Sequence, residues 1–274
     1  MSVLTDHFVL ANGLTIPQLG LGTWQTPNEV AVDAVAVALR DGYRHIDTAR
    51  AYKNEEGVGR GWRASGLPRD EVYLTTKVAA EFKSYEAART SIATSLSELD
   101  AGYIDLLLIH APKPWPQMFD SAAPKYFAEN LEVWRAMEEA YQRGEVKSIG
   151  VSNFDIADLT NLTDHCSVAP VANQIRFHVG HTQPEITAYC QAHDILVEAY
   201  SPLGTGRLLD HEGIADVAAR YSVSVAQICL RYALQKGCLP LPKSTHERYI
   251  VEDAALDFVI TADDMATLDA ITLD

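Results

Sequence analysis

The sequence predicts a closed (β/α)8 TIM barrel with an N-terminal β-hairpin. Short apolar runs, eight in all, alternate with longer helix-like segments along a chain of 274 residues, a length that suits one such barrel. The runs are apolar on both faces, as expected of parallel strands covered by helices. The polar residues that stand out fall at the ends of these runs or in the loops after them. That is where barrels of this kind build their sites.

Phe8-Val9-Leu10 and Leu14-Thr15-Ile16 flank Asn12-Gly13. This reads as a hairpin in which the Asn-Gly pair supplies the positive φ angles of a tight turn. Strand-like runs then cover residues 18–22, 43–47, 72–77, 104–110, 148–151, 171–175, 195–200 and 239–242. Helix-like segments cover 28–40, 55–65, 85–99, 126–143, 156–162, 184–193 and a longer interval around 217–235. Residues 111–125, rich in Pro and aromatics, are too long for a plain connection and are expected to form a wall of a site. With no linker and no repeat beyond the alternation, residues 1–274 are expected to form a single domain.

The formal net charge is −15, which repels nucleic acid and anionic membranes. No apolar run approaches the length of a membrane span, and residues 1–7 do not resemble a signal peptide. Four cysteines, at 166, 190, 229 and 238, form no C-x-x-C pair and fit no common zinc spacing. They read as reduced thiols in a cytoplasmic protein without a metal.

Asp47 ends the run 43–47, Tyr52 follows five residues later, Lys77 closes 72–77 and His110 closes 104–110. A barrel brings all four to one end. A tyrosine has an unperturbed pKa near ~10, so it needs a neighbouring cation to act as a general acid near neutrality. Tyr73 and Lys77 also spell Y-x-x-x-K, a pair that works on one helix face. Here the segment is strand-like and the gap spans roughly 13 Å. Gly57, Gly59 and Gly61 follow a helix-starting Glu55 and not a strand, which is a poor dinucleotide-binding fingerprint.

In this order, and with Leu19-Gly20-Leu21-Gly22-Thr23-Trp24, Ile149-Gly150-Val151-Ser152-Asn153-Phe154, Asn173-Gln174, Tyr200-Ser201-Pro202-Leu203-Gly204 and Leu241-Pro242-Lys243-Ser244, the chain resembles the aldo-keto reductase family. It is most similar to the bacterial-type members with a short C-terminal tail, such as diketogluconate and methylglyoxal reductases. The resemblance implies NADPH-dependent reduction of aldehydes, dicarbonyls or keto-sugars, with NADH as the alternative cofactor. It implies Tyr52 as proton donor, Lys77 lowering its pKa, Asp47 pairing Lys77, and His110 orienting the carbonyl. It places Ser152, Asn153 and Gln174 on the nicotinamide carboxamide and Tyr200 on its ring. Ser201, Leu203 and Gly204 would follow the pyrophosphate, Lys243 and Ser244 the adenosine phosphate, and Glu252 the adenine. By analogy the protein is expected to be a monomer.

The chain departs from the family at two places. An arginine usual six residues after Lys243, and an asparagine ten after, are Tyr249 and Asp253 here, while Arg248 lies one residue early. The substrate pocket is expected to be lined by Trp24, Ala79, Ala111 and Trp115. The alanines stand where bulky aromatics are common, which implies a wider mouth that Trp115 refills in part. Two other functions share this frame. A cofactor-sensing regulatory barrel would bind with little turnover, and a Schiff-base lyase would use Lys77 as a neutral nucleophile.

Overall fold

The computed structural model describes residues 3–273. β1 (His7–Val9) and β2 (Thr15–Pro17) form the antiparallel hairpin, with Phe8 opposite Ile16. Its turn is wider than the two-residue one expected. Gly13 has φ +82°, but Asn12 is not among the positive-φ residues. Leu10 N donates to Leu14 O at 2.8 Å, closing a loop in which the Asn12 carboxamide accepts from Leu14 N and donates to Ser148 Oγ. Asn12 therefore docks the hairpin onto the barrel instead of completing a tight turn.

The alternation then follows in order: β3 (Gly20–Gly22), α1 (Asn28–Arg40), β4 (His45–Asp47), α2 (Glu55–Ala64), β5 (Tyr73–Val78), α3 (Tyr85–Leu99), β6 (Ile104–Ile109), α4 (Phe127–Gln142), β7 (Val146–Ser152), α5 (Ile156–Thr163), β8 (Ala172–Arg176), α6 (Pro184–Ala192) and β9 (Leu196–Tyr200). After them come α7 (Glu212–Tyr221), α8 (Val225–Gln235), β10 (Leu239–Leu241), α9 (Glu247–Ala254) and α10 (Ala262–Asp269). The interval expected around 217–235 is two helices. Ser222 takes φ +56° at the end of α7, and Ser224 starts α8 with a capping box to Gln227. Helices α9 and α10 were not among the helix-like segments expected from sequence.

Strands β3 to β10 form one eight-stranded parallel sheet in sequence order. Gly22 N donates to Pro242 O at 2.8 Å, which brings the first strand against the last. Gly20 is required at this seam. A Cβ there would sit 2.5 Å from His45 Nδ1 and 2.7 Å from Leu241 Cδ2.

Outward-facing Leu21, Ile46, Leu74, Leu107, Ile149 and Val197 pack against the helices, where Val35, Trp134 and Tyr232 are buried. Inside the barrel a second cluster plugs the N-terminal end: Leu10 and Ile16 of the hairpin meet Leu106, Leu108, Ala172, Leu239 and Leu241. Burying one such Leu or Ile contributes ~1.5–3 kcal/mol. All four cysteines are free thiols. Among the described residues no helix is long and apolar enough to cross a membrane, and no group of three His, Cys, Asp or Glu is placed to hold a metal.

Candidate active site

Alternation along a strand sends every second side chain into the barrel. The C-terminal half of the interior is polar as a result. Lys77 is 1% exposed and Asp47 4%. The Lys77 ammonium donates to both Asp47 carboxylate oxygens, at 2.7 and 2.8 Å, and to Thr48 O at 2.8 Å. Burial disfavours the charge on Lys77, but Asp47, Tyr52 and Glu198 together outweigh it and raise its pKa. A buried ion pair is tolerated when its remaining hydrogen-bonding capacity is met, and here it is.

Tyr52 ends a 3-10 turn, Arg50–Tyr52, that follows β4 and closes on Lys53 at φ +58°. Its ring centroid lies 5.1 Å from Lys77 Nζ and 5.4 Å from the His110 ring, edge to face. The expectation was a lowered tyrosine pKa. Burial around the hydroxyl instead pushes it up to about 12, with Lys77 opposing and Asp47 adding to the rise. Tyr52 is thus fully protonated near neutrality, as a proton donor must be before it acts. Lys77 limits the rise without reversing it.

Burial, and then Lys77, holds the His110 pKa well below its usual value, so the imidazole is neutral. Its Nδ1 is buried without a partner. A proton there would have no acceptor, so the favoured tautomer carries it on Nε2. Lys77, with its three donors committed and its charge reinforced, is no Schiff-base nucleophile.

Trp115 stands edge-on to His110, ring centroids 5.1 Å apart. The segment 111–125 does wall the site. Lys83 Nζ donates to Ala111 O at 2.7 Å, Asn130 to Pro112 O at 3.0 Å, and Lys113 Nζ to Asp120 O and Ala123 O. Ala111 is fully buried and Ala79 nearly so, while Trp24 is 49% exposed at the rim. The wide mouth expected from two alanines is therefore not open at residue 111, where the Trp115 loop closes over the strand end.

Ser152, Asn153, Gln174 and Tyr200 form one connected set. Ser152 Oγ donates to Gln174 O at 2.8 Å, and Asn153 Nδ2 to Ser152 Oγ at 2.9 Å and His110 O at 3.1 Å. The Tyr200 hydroxyl donates to Asn153 Oδ1 at 2.9 Å. Asn153 holds φ +60° to do this. Gln174 Nε2 donates to Asp47 Oδ2 at 2.8 Å and Glu198 Oε2 at 2.9 Å.

The loop after β9 carries Ser201 at φ +51° and Gly204 at φ +58°. A Cβ on Gly204 would lie 3.1 Å from Leu208 Cγ, so the backbone there stays bare. Lys243 is exposed beside Gly22, and Ser244 Oγ accepts from His246 N at 3.1 Å. Arg248 is exposed, with its guanidinium 5.6 Å from the Tyr249 ring centroid. Glu252 neighbours Asp253, whose carboxyl is pushed up to about 7 by burial and then by Glu252. Lys243, Ser244, Arg248 and Glu252 lie at the β10–α9 edge, apart from the connected set. Exposed Arg176 and Arg207 flank the β8 and β9 ends, two cations on a chain of net charge −15.

A nicotinamide dinucleotide fits these residues: amide-matching groups lie over the polar interior, bare backbone comes next, and exposed cations stand at the edge. Sequence reasoning missed Glu198 and Lys83, and gave no role to Asn54, whose Nδ2 ties the β3 loop by donating to Thr23 O and Thr26 O. Glu198 had a signal: it is a lone charge inside the apolar run 195–200.

The profile of the Aldo/keto reductase family matches residues 18–273. The chain is 41% identical over 273 residues to glyoxal reductase of Bacillus subtilis (strain 168), covering 99% of this chain and 94% of that protein. A crystal structure of an aldo/keto reductase from Brucella melitensis superposes with a TM-score of 0.89 at 41% identity, covering 96% of this chain and 98% of that one. An aldo-keto reductase of Bombyx mori in complex with NADP superposes with a TM-score of 0.85 at 36% identity, covering 96% and 92%.

Proposed function

The chain belongs to the aldo/keto reductase family and is an NAD(P)H-dependent oxidoreductase, and from that premise we propose that it reduces small aldehydes and α-dicarbonyls with Tyr52 as proton donor. The observation that carries the proposal is a protonated tyrosine held beside a buried, charged Lys77–Asp47 pair at the barrel mouth. The nearness of glyoxal reductase in sequence supports the dicarbonyl class.

Bound at the mouth, the reduced nicotinamide supplies the hydride. Gln174 Oε1, Asn153 and Ser152 would hold its carboxamide, Tyr200 its ring, Ser201, Leu203 and Gly204 the pyrophosphate, and Lys243, Ser244 and Arg248 the ribose phosphate, with Glu252 at the adenine. Neutral His110 donates through Nε2–H to the substrate oxygen and sets its angle. Charge builds on that oxygen, and Tyr52 transfers its phenolic proton there. Lys77 then faces a phenolate, which its ammonium stabilises, while Asp47 keeps the ammonium in place. Trp24 and Trp115, with Ala79 and Ala111 behind them, bound a small substrate. The free thiols support a cytoplasmic protein, and we read residues 1–274 as one domain acting as a monomer.

Turnover of methylglyoxal with NADPH, measured beside NADPH binding, tests the assignment. Tyr52→Phe is expected to lose at least ~10² in kcat, the low end for a general acid, and to bind NADPH nearly as before. Near-normal turnover in folded Tyr52→Phe would refute it. A wild type that binds NADPH but turns over no carbonyl would favour the regulatory barrel.

A further inference from the structure

One buried carboxyl has no part in the chemistry above. Glu198 points into the barrel from the middle of β9 and is 0% exposed. Its Oε2 accepts from Gln174 Nε2, and the same nitrogen donates to Asp47 Oδ2. One amide thus bridges two carboxyls, the second of which holds Lys77 and through it faces Tyr52. Glu198 Oε1 is buried without a partner. An ionised carboxylate in that position would be a second negative charge near Asp47, with an oxygen left unsolvated.

We propose that Glu198 is a positioning residue for the proton-donating set: while protonated it holds the Gln174 amide that clamps Asp47, and when it loses that proton it slows reduction. The inference rests on the assignment of Tyr52 as proton donor.

Burial, and then the charge of Asp47, push the Glu198 carboxyl up to about 7, against the Gln174 hydrogen bond and Lys77. It is therefore neutral below neutrality and ionised above. The groups around it identify what its charge does. From β4 it faces Asp47, whose charge it feels; His45 on the same strand is neutral because burial and Lys77 lower its pKa to about 3. From β5 it faces Lys77 and Tyr73, both of which it influences. From β8 it meets only the neutral Gln174 amide. β3 and β10 offer Gly20, Gly22, Leu239 and Leu241 there, and β6 offers Leu106 and Leu108. Lys77 is thus the single cation it meets among these. An ionised Glu198 draws on the same ammonium that must stabilise the Tyr52 phenolate. It also competes with Asp47 for the Gln174 amide. Each effect makes Tyr52 a weaker acid.

The test is kcat for methylglyoxal reduction from pH 5.5 to 9, with NADPH saturating. Wild type is expected to fall about three- to tenfold through an inflection near neutrality. E198Q keeps the side-chain shape and one acceptor but carries no proton to lose. It is expected to hold the low-pH rate across the range. Asp253 also titrates near neutrality but at α9, so D253N is expected to leave the kcat inflection in place. An inflection that survives in E198Q overturns the proposal, as does an E198Q that is pH-independent yet as slow as wild type at pH 9. Infrared titration of the wild-type enzyme gives a readout that does not depend on activity. A protonated-carboxyl band lost near neutrality, and missing in E198Q, supports the inference even if methylglyoxal is the wrong substrate. Its absence at pH 6 refutes it.

Discussion

The two ends of the barrel interior are built from opposite materials. At the N-terminal end Leu10, Ile16, Leu106, Leu108, Leu239 and Leu241 close an apolar plug. On the other strands, β4, β5, β8 and β9, Asp47, Lys77, Gln174 and Glu198 fill the space with buried charge and amide, Lys77 in register with Leu108 and Glu198 with Leu239. The apolar end gains free energy from every methyl group it removes from water. The polar end pays desolvation and recovers it only through specific hydrogen bonds. One end stabilises the fold, and the other is tolerated because the fold is stable. The same division appears along the strands themselves: β6 and β10 are apolar inside, whereas β4, β5, β8 and β9 supply the polar groups.

The sharpest way to break the contrast is Lys77→Met. It leaves Asp47 buried without its cation, and removing one partner of such a pair is worth roughly 3–5 kcal/mol. Both reductase activity and stability are expected to collapse together, as read by turnover and urea denaturation. An active Lys77→Met with unchanged midpoint would mean that the pair is not coupled to Tyr52.

Ile16→Ala probes the other end. Truncating a fully buried Ile in a packed cluster lowers stability by ~2–5 kcal/mol. Because Ile16 belongs to the apolar cluster and makes no part of the proposed chemistry, kcat at a temperature where the variant is folded is expected to match wild type. A large loss of kcat there would show that the plug positions the site.

The polar end also makes stability depend on pH, and Glu198 isolates one contribution. Its folded pKa, about 7, lies above the usual 4.5. As pH rises from 4.5 to 7 the unfolded chain releases this proton and the folded chain retains it, so the free energy of unfolding falls. Above 7 both forms are ionised and the full penalty remains, on the order of 3 kcal/mol. His45 acts with the opposite sign. Its pKa falls from 6.5 to about 3 on burial, so stability is lost as pH drops through that window, and the two partly cancel in wild type. The difference between E198Q and wild type removes His45 from the comparison. It is expected to grow from pH 4.5 to 7 and then level off, in favour of E198Q. A constant difference across that range would place the Glu198 pKa near its ordinary value.

The smallest effect expected is at the rim, where charges are exposed and screened. Tyr249→Arg adds a second cation beside Lys243 and is expected to lower the KM for NADPH by a few-fold while leaving that for NADH unchanged. Arg248→Ala tests whether the neighbouring guanidinium already fills that role. If NADPH and NADH binding fall equally, Arg248 does not read the phosphate.

Much of the site was legible because its residues end apolar runs. Asp47, Lys77 and His110 interrupt hydrophobic segments at positions where a barrel gathers them, and Tyr52 follows at short range. The split of 217–235 into two helices was less legible, because it turns on Ser222 adopting a left-handed conformation and Ser224 capping α8. The hairpin turn was misjudged because Asn12 reaches Ser148, a partner 136 residues away. That Trp115 would refill part of the space beside Ala111 was legible from the long loop, but its edge-on stacking against His110 was not.

By itself the sequence determined the alternation of strands and helices through β9 and the placing of Asp47, Tyr52, Lys77 and His110 at or just after strand ends. Those follow from periodicity and from the direction of the chain, which are local properties. Only the tertiary structure decided the protonation state of each group. Tyr52 is pushed up to about 12, Glu198 to about 7, and His45 down to about 3. A pKa depends on the solvent excluded and the charges assembled around a group, and those come from strands far apart in the chain.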